Sequence, residues 1–236
     1  MKLLKNPLIL ALDVDDERQA FQTLEPIQDL LGAIKLGPRL VNKYGAKFVL
    51  EMAQRAPVFI DNKYFDIPST MKAAVQAAFE AGATLVTVHA LAGLAALSEL
   101  AILEKKLNQQ RPFKILAVTI LTSWEQSSLP KNLQPWSIEN HVKSLSELVY
   151  ESGLRGLVCS GFELPLMSQP DFFKVVPGIR LSSLAVDVKS AHDQKRVMTP
   201  QEAIQAGAQA LVIGRPILES TNSRQTVLEI LESCHL

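Results

Sequence analysis

Eight short apolar runs punctuate the chain, and they constrain its fold more than any other feature. They are LILALDV (8–14), AIKLG (33–37), VFIDNK (58–63), LVTVHA (85–90), KILAVTIL (114–121), GLVCS (156–160), FKVVPGI (173–179) and ALVIGRP (210–216). Most are apolar almost without alternation, as strands covered on both faces must be. Between them lie segments of helical spacing: 71–83, 91–107, 138–153 and 199–208. The last begins with Thr199 as N-cap and Pro200 at the first helical position, and each choice suits a helix start. Repeated strand–helix units with no change of composition predict an α/β fold, a (β/α)8 TIM barrel forming one domain over residues 1–236. An open, doubly wound sheet remains compatible, because periodicity alone does not prove closure.

Composition narrows the function classes. Hydrophobic residues make up 47% of the 236 and charged residues 20%, enough apolar material for one large core. The 24 basic and 24 acidic residues cancel, so the basic excess of a nucleic-acid binder is missing. No lysine run suits an anionic membrane surface, and no apolar run approaches the ~20 residues that span a bilayer. Lys2 and Lys5 before LILAL (8–12) resemble a short secretory leader, but Pro7 and the acids Asp13, Asp15 and Asp16 favour a buried first strand. Two distant cysteines, Cys159 and Cys234, form no disulfide framework and fit a reducing, cytoplasmic setting.

Charge gathers where the expected strands end. Asp13 ends the first, Lys35 the second, Asp61 and Lys63 the third, and His89 the fourth. Buried strands carry charge only when it is paired or used, and this end of a barrel is its catalytic face. Asp61 and Lys63 are two apart, so alternation places both on one side of the strand, with Lys35 on the neighbouring strand. Asp66 either joins the cluster or projects elsewhere. Alternating Lys and Asp keep one another ionised and form a preorganised field. The same pattern would also serve as a structural ion-pair plug.

The last two strands carry phosphate signals: PGIR (177–180) with Gly178 and Arg180, and IGRP (213–216) with Gly214 and Arg215. Barrels often hold phosphate between these loops, on backbone N–H groups and a helix N-terminus. Connections 122–137 and 180–198 are long and leave carboxyl ends of strands, which makes them lid candidates or plain surface insertions. His89 reads as a hydrogen-bonded structural or positioning residue rather than a metal ligand. His141, His192 and His235 are scattered over a helix, a loop and the tail, and no zinc pattern forms. Cys159 reads as core. Lys63 between aspartates reads as a permanent ammonium rather than a Schiff-base amine.

At this level of detail a family becomes recognisable. DNKYFDIPST (61–70) fits the Asp-x-Lys-x-x-Asp-Ile-Pro-x-Thr signature, and the chain resembles the orotidine 5'-phosphate decarboxylases in their free-standing bacterial form. LALDVDD (10–16), IKLG (34–37), TVHA (87–90), LTS (121–123), VPGIR (176–180), DQKRVMTP (193–200) and VIGRP (212–216) follow in the family's order. The resemblance implies conversion of orotidine 5'-monophosphate to UMP and carbon dioxide, the last step of de novo pyrimidine synthesis. It implies no metal, no organic cofactor and a homodimer with sites at the subunit interface. It makes Lys35, Asp61, Lys63 and Asp66 the catalytic network, with Asp66, Ile67 and Thr70 reaching the partner's site. Asp13 and Lys35 would contact ribose, Thr122 and Ser123 the pyrimidine. Arg180, Gln194, Arg215 and the Gly214 backbone would grip phosphate. Competing readings are a magnesium-dependent decarboxylase or aldolase for sugar phosphates, whose relatives usually follow Asp-x-Lys-x-x-Asp with glycines, and a non-catalytic nucleotide-binding barrel.

Overall fold

The computed structural model describes residues 3–181 and 198–234. All eight expected strands form: β1 (Leu8–Ala11), β2 (Ala33–Leu36), β3 (Val58–Tyr64), β4 (Ala83–His89), β5 (Lys114–Val118), β6 (Gly156–Val158), β7 (Phe173–Pro177) and β8 (Ala210–Ile213). They pair in parallel in sequence order, and β1 closes on β8 through the register Leu8↔Leu211 to Leu10↔Ile213. Closure excludes the open sheet. The strands stop short of several apolar runs; β5 ends at Val118 although the run continues to residue 121, and those last residues leave the ladder for the barrel mouth.

The helices are α1 (Glu17–Leu24), α2 (Pro38–Ala53), α3 (Pro68–Glu80), α4 (Gly93–Leu107), α5 (Ile138–Glu151), α6 (Pro200–Gln205), α7 (Arg215–Leu218) and α8 (Ser223–Ser233). Thr199 caps α6 as expected, accepting from the Glu202 amide while Glu202 accepts from the Thr199 amide. Asp16 and Asn222 cap α1 and α8 in the same manner, each accepting a hydrogen bond from an amide three residues on. Between β6 and β7 the chain makes only a 3-10 helix, Gly161–Leu166, in which Pro165 denies an α-helix one of its donors.

Side-chain alternation divides the buried apolar residues into two groups. One lies inside the barrel and includes Ile9, Ala11, Ala33, Phe59, Leu85, Leu116, Val118, Val158, Val175, Ala210 and Val212. The other, larger group fills the layer between sheet and helices. The inward series continues along each strand, so after Ala33 comes Lys35, after Phe59 comes Asp61, and after Leu85 comes Thr87. The apolar plug therefore ends where the polar residues begin. At the opposite end Glu104 of α4 accepts from the Ile115 amide and from Lys114 Nζ at 3.2 Å, tying α4 to the start of β5. Burial holds the Glu104 carboxyl above its usual range despite the lysine. Among the described residues no helix is long and apolar enough to cross a membrane.

Candidate active site

A cavity of about 860 Å³ opens at the carboxyl ends of the strands. That is within the range of small-ligand sites, roughly 300–1,000 Å³. Ala11, Phe59, Val118, Val158 and Val212, the uppermost inward residues of the barrel core, form its apolar floor. Around that floor stand Asp13, Lys35, Asp61 and Lys63 on one side, and Gly178, Arg180, Gly214 and Arg215 on the other. Thr122 and Ser123 complete the rim from the start of the long connection after β5.

The charged side is a continuous network. Lys63 Nζ donates to Asp61 Oδ1 at 2.8 Å, and Lys35 Nζ lies 3.7 Å from Asp61 Oδ2 and 3.3 Å from Asp13 Oδ1. Asp61 and Lys35 are largely buried, whereas Lys63 keeps 36% of its side chain exposed toward the cavity. Burial alone would raise the Asp61 carboxyl, but the Lys63 and Lys35 ammonium groups, with hydrogen bonds from Lys63 and Thr87, hold it below the usual carboxylate range. Asp61 is thus a fixed anion flanked by two cations.

Strict alternation is not what brings Asp61 and Lys63 together. Ile60 pairs with Val86 and Tyr64 with Val88, so residues 61–63 of β3 bulge out opposite Thr87 alone. Lys63 sits at the apex with φ 48°, in the left-handed region. A non-glycine residue there costs about 1 kcal/mol or more, and such strain persists only where surrounding bonds hold it. The Lys63 amide donates to Thr87 Oγ1 at 2.9 Å, and Thr87 Oγ1 donates to Asp61 Oδ1 at 3.0 Å. Bulges of this kind re-aim side chains beside active sites.

His89 ends β4 as expected and is buried. Burial and the Lys63 charge both push its pKa down. Its Nδ1 accepts from the Leu91 amide at 3.3 Å, so the neutral ring carries its proton on Nε2. It holds the turn into α4 and stacks against Phe65, with ring centroids 5.7 Å apart.

On the far side Gly178 adopts φ 81°, a turn that a side chain would strain. A Cβ on Gly214 would come within 3.1 Å of Ala11 Cβ, so this loop lies tight against β1. Burial and the neighbouring Arg215 charge lower the Arg180 pKa, against the pull of Glu219. Two guanidinium groups held where they repel each other form a site that an anion relieves.

Across residues 6–230 the sequence matches the model of the "Orotidine 5'-phosphate decarboxylase / HUMPS family". The chain belongs to that family. It is 37% identical over 228 residues to the orotidine 5'-phosphate decarboxylase of Legionella pneumophila strain Paris, covering 95% of this chain and 97% of that protein. It is 38% identical over 233 residues to the Trichlorobacter lovleyi decarboxylase, covering 97% and 95%. The crystal structure of orotidine 5'-phosphate decarboxylase from Lactobacillus acidophilus superposes with a TM-score of 0.81 at 29% identity, covering 98% of this chain and 100% of that one.

Of the residues singled out by resemblance to these decarboxylases, nine share the cavity: Asp13, Lys35, Asp61, Lys63, Thr122, Ser123, Arg180, Gly214 and Arg215. Asp66, Ile67 and Thr70 do not. All three are exposed at the start of α3, and Asp66 Oδ1 accepts from the Ile67 amide at 2.7 Å. Gln194 and most of the second long connection lie outside the described residues. Sequence reasoning overlooked Thr87, Arg39 and the apolar floor. Arg39, at the rim, pairs with Asp15 at 2.8 Å. Its early position in α2, close behind Lys35, was the available signal.

Proposed function

We propose that the chain decarboxylates orotidine 5'-monophosphate to UMP and carbon dioxide, the closing step of pyrimidine nucleotide synthesis. One observation carries this reading: a Lys-Asp-Lys network and two arginines face each other across one apolar-floored cavity. The lining holds five cationic side chains (Lys35, Arg39, Lys63, Arg180, Arg215) and two anionic ones (Asp13, Asp61), an excess of three positive charges. The substrate brings a phosphate of nearly two negative charges and a carboxylate of one.

In the reaction the bond from C6 to the carboxyl carbon breaks, carbon dioxide departs, and the electron pair stays on C6 in the ring plane. Lys63 stabilises that charge and then delivers a proton to C6. Asp61 lies beside the departing carboxylate and disfavours its retention. Lys35 keeps Asp61 ionised and with Asp13 meets the ribose, while Thr122 and Ser123 face the pyrimidine. Arg180, Arg215, Gln194 and the Gly214 backbone hold the phosphate. The chemistry assigned to these side chains calls on no metal or organic cofactor. Two free, buried thiols, Cys159 and Cys234, fit a cytoplasmic enzyme.

The reading includes a homodimer in which Asp66, Ile67 and Thr70 complete the partner's site. Its support is the exposure of Phe65 (61%) and Ile67 (63%) directly beside the network, an apolar surface that a second copy would cover. Ile67→Asp should weaken self-association at least about tenfold, read by sedimentation, because it would bury an unpaired carboxylate. Activity should fall with dimer content; an active monomer would refute the shared site.

The deciding experiment follows loss of orotidine 5'-monophosphate absorbance with purified, EDTA-treated protein. Conversion to UMP supports the reading. A folded protein that leaves this nucleotide intact but acts on a sugar phosphate once magnesium is restored would assign it to the other branch of the family.

A further inference from the structure

Thr87 is a polar side chain with no exposed surface, midway along β4 and inward between Leu85 and His89. We propose that Thr87 is a positioning residue for the reaction, fixing both the direction of the Asp61 carboxylate and the left-handed backbone that carries Lys63. The inference rests on the decarboxylase reading of this site and deepens it.

The argument is one of hydrogen-bond direction. The Lys63 amide is a donor, so the Thr87 oxygen accepts it, and the hydroxyl hydrogen is left to point at Asp61 Oδ1. Asp61 Oδ1 thereby receives two donors, Thr87 and Lys63 Nζ, while Oδ2 turns to Lys35. A single hydroxyl clamps both ends of the bulge: the carboxylate at its start and the strained lysine at its apex. Hydrophobic neighbours alone, such as Val86 and Val88 in the same strand, could not hold either one.

Substituting Thr87 removes no charged or titratable group around Asp61: Lys63 on β3, Lys35 on β2, Asp13 beyond β1 and the neutral His89 on β4 all remain in the chain. A change in the behaviour of Asp61 is then attributable to the hydroxyl. Thr87→Val removes it at nearly constant shape, and Thr87→Ser restores it without the methyl group.

The test compares the two variants with wild type in three measurements: thermal melting, steady-state decarboxylation, and NMR titration of the Asp61 carboxyl carbon in labelled protein. Thr87→Val should lose about tenfold in kcat, the scale of one hydrogen bond to a charged acceptor. KM should stay within about threefold, since the phosphate grip is untouched. The Asp61 titration should move up, because a group that favours its ionised form is gone. Thr87→Ser should recover both the rate and the titration. A valine variant with wild-type kcat and an unmoved Asp61 titration would overturn the proposal, as would a serine variant no better than valine. If wild type itself leaves orotidine 5'-monophosphate intact, the decarboxylase reading falls; the titration still decides whether Thr87 sets Asp61, a rise supporting the clamp and no rise ending it.

Discussion

Lys63→Ala should fold normally and still bind UMP, yet lose decarboxylation by at least about 10⁴-fold. In the proposed reaction two contributions would vanish together, the cation beside C6 and the proton that ends the reaction, and each is commonly worth about 10²–10⁴ in rate. The fold should survive because Lys63 lies at the apex of the bulge, above the apolar plug, with part of its side chain in the open cavity. Its amide, which Thr87 holds, remains in alanine. Nucleotide binding should survive because the arginine side of the cavity belongs to the loops after β7 and β8. The variant should also shift Asp61. The Lys63 charge and hydrogen bond both hold that carboxyl down, and with Lys35 and Thr87 left alone against burial its pKa must rise. Stability should respond accordingly. In wild type the depressed Asp61 pKa stabilises the fold at neutral pH, and that contribution is lost as pH falls through the folded-state value. In the variant the loss should begin at higher pH. Single-turnover assays, UMP calorimetry and melting from pH 3 to 7 on the order of half-unit steps would read all three. Unchanged turnover would refute the role given to Lys63.

The barrel was legible because its strands are covered on both faces, which leaves short apolar runs, too short for helices, recurring between longer helical segments. Closure was expected from the eight repeats but not proved by periodicity, since it depends on β1 meeting β8 across the length of the chain. Helices α1, α2 and α8 escaped notice for a related reason. The apolar faces of α1 and α8 are narrow, α1 burying only Ala20 and Leu24 behind a polar surface and α8 only Val227 and Ile230, while the spacing of α2 is interrupted by a non-helical Gly45. The charged residues of the site could be read because charge among buried strands needs a reason. Their arrangement could not. Alternation puts Asp61 and Lys63 on one face, and they do meet, but through a bulge that no propensity at residues 61–63 announces. Thr87 was hidden by its ordinariness: threonine is a common strand residue, and only the observed pairing shows what its hydroxyl touches. Asp66 lies outside this chain's own cavity, exposed just before α3, and its place in the signature did not reveal that.

Arg215→Ala should lower kcat/KM for orotidine 5'-monophosphate by about 10²–10³-fold, although it lies across the cavity from Lys63. A guanidinium meets a phosphate through charge-assisted hydrogen bonds worth about 1.5–3 kcal/mol each, and a planar fork can make two. In the proposed reaction that interaction is remote from C6, and its energy would serve to place the pyrimidine against the Lys63 side. The structure adds a second consequence. Arg215 depresses the Arg180 pKa, so its removal relieves a repulsion that the bound phosphate would otherwise relieve, and Arg180 alone should not compensate. The discriminating comparison uses the nucleoside orotidine, which has the same reacting ring and no phosphate. If Arg215 acts through phosphate, wild type and variant should decarboxylate orotidine equally slowly, and the whole difference should appear only with the nucleotide. An equal loss on both substrates would mean that Arg215 supports the loop after β8 rather than the phosphate. Full activity of the variant on the nucleotide would remove the arginine side of the cavity from the reaction, and with it the case for a phosphorylated substrate.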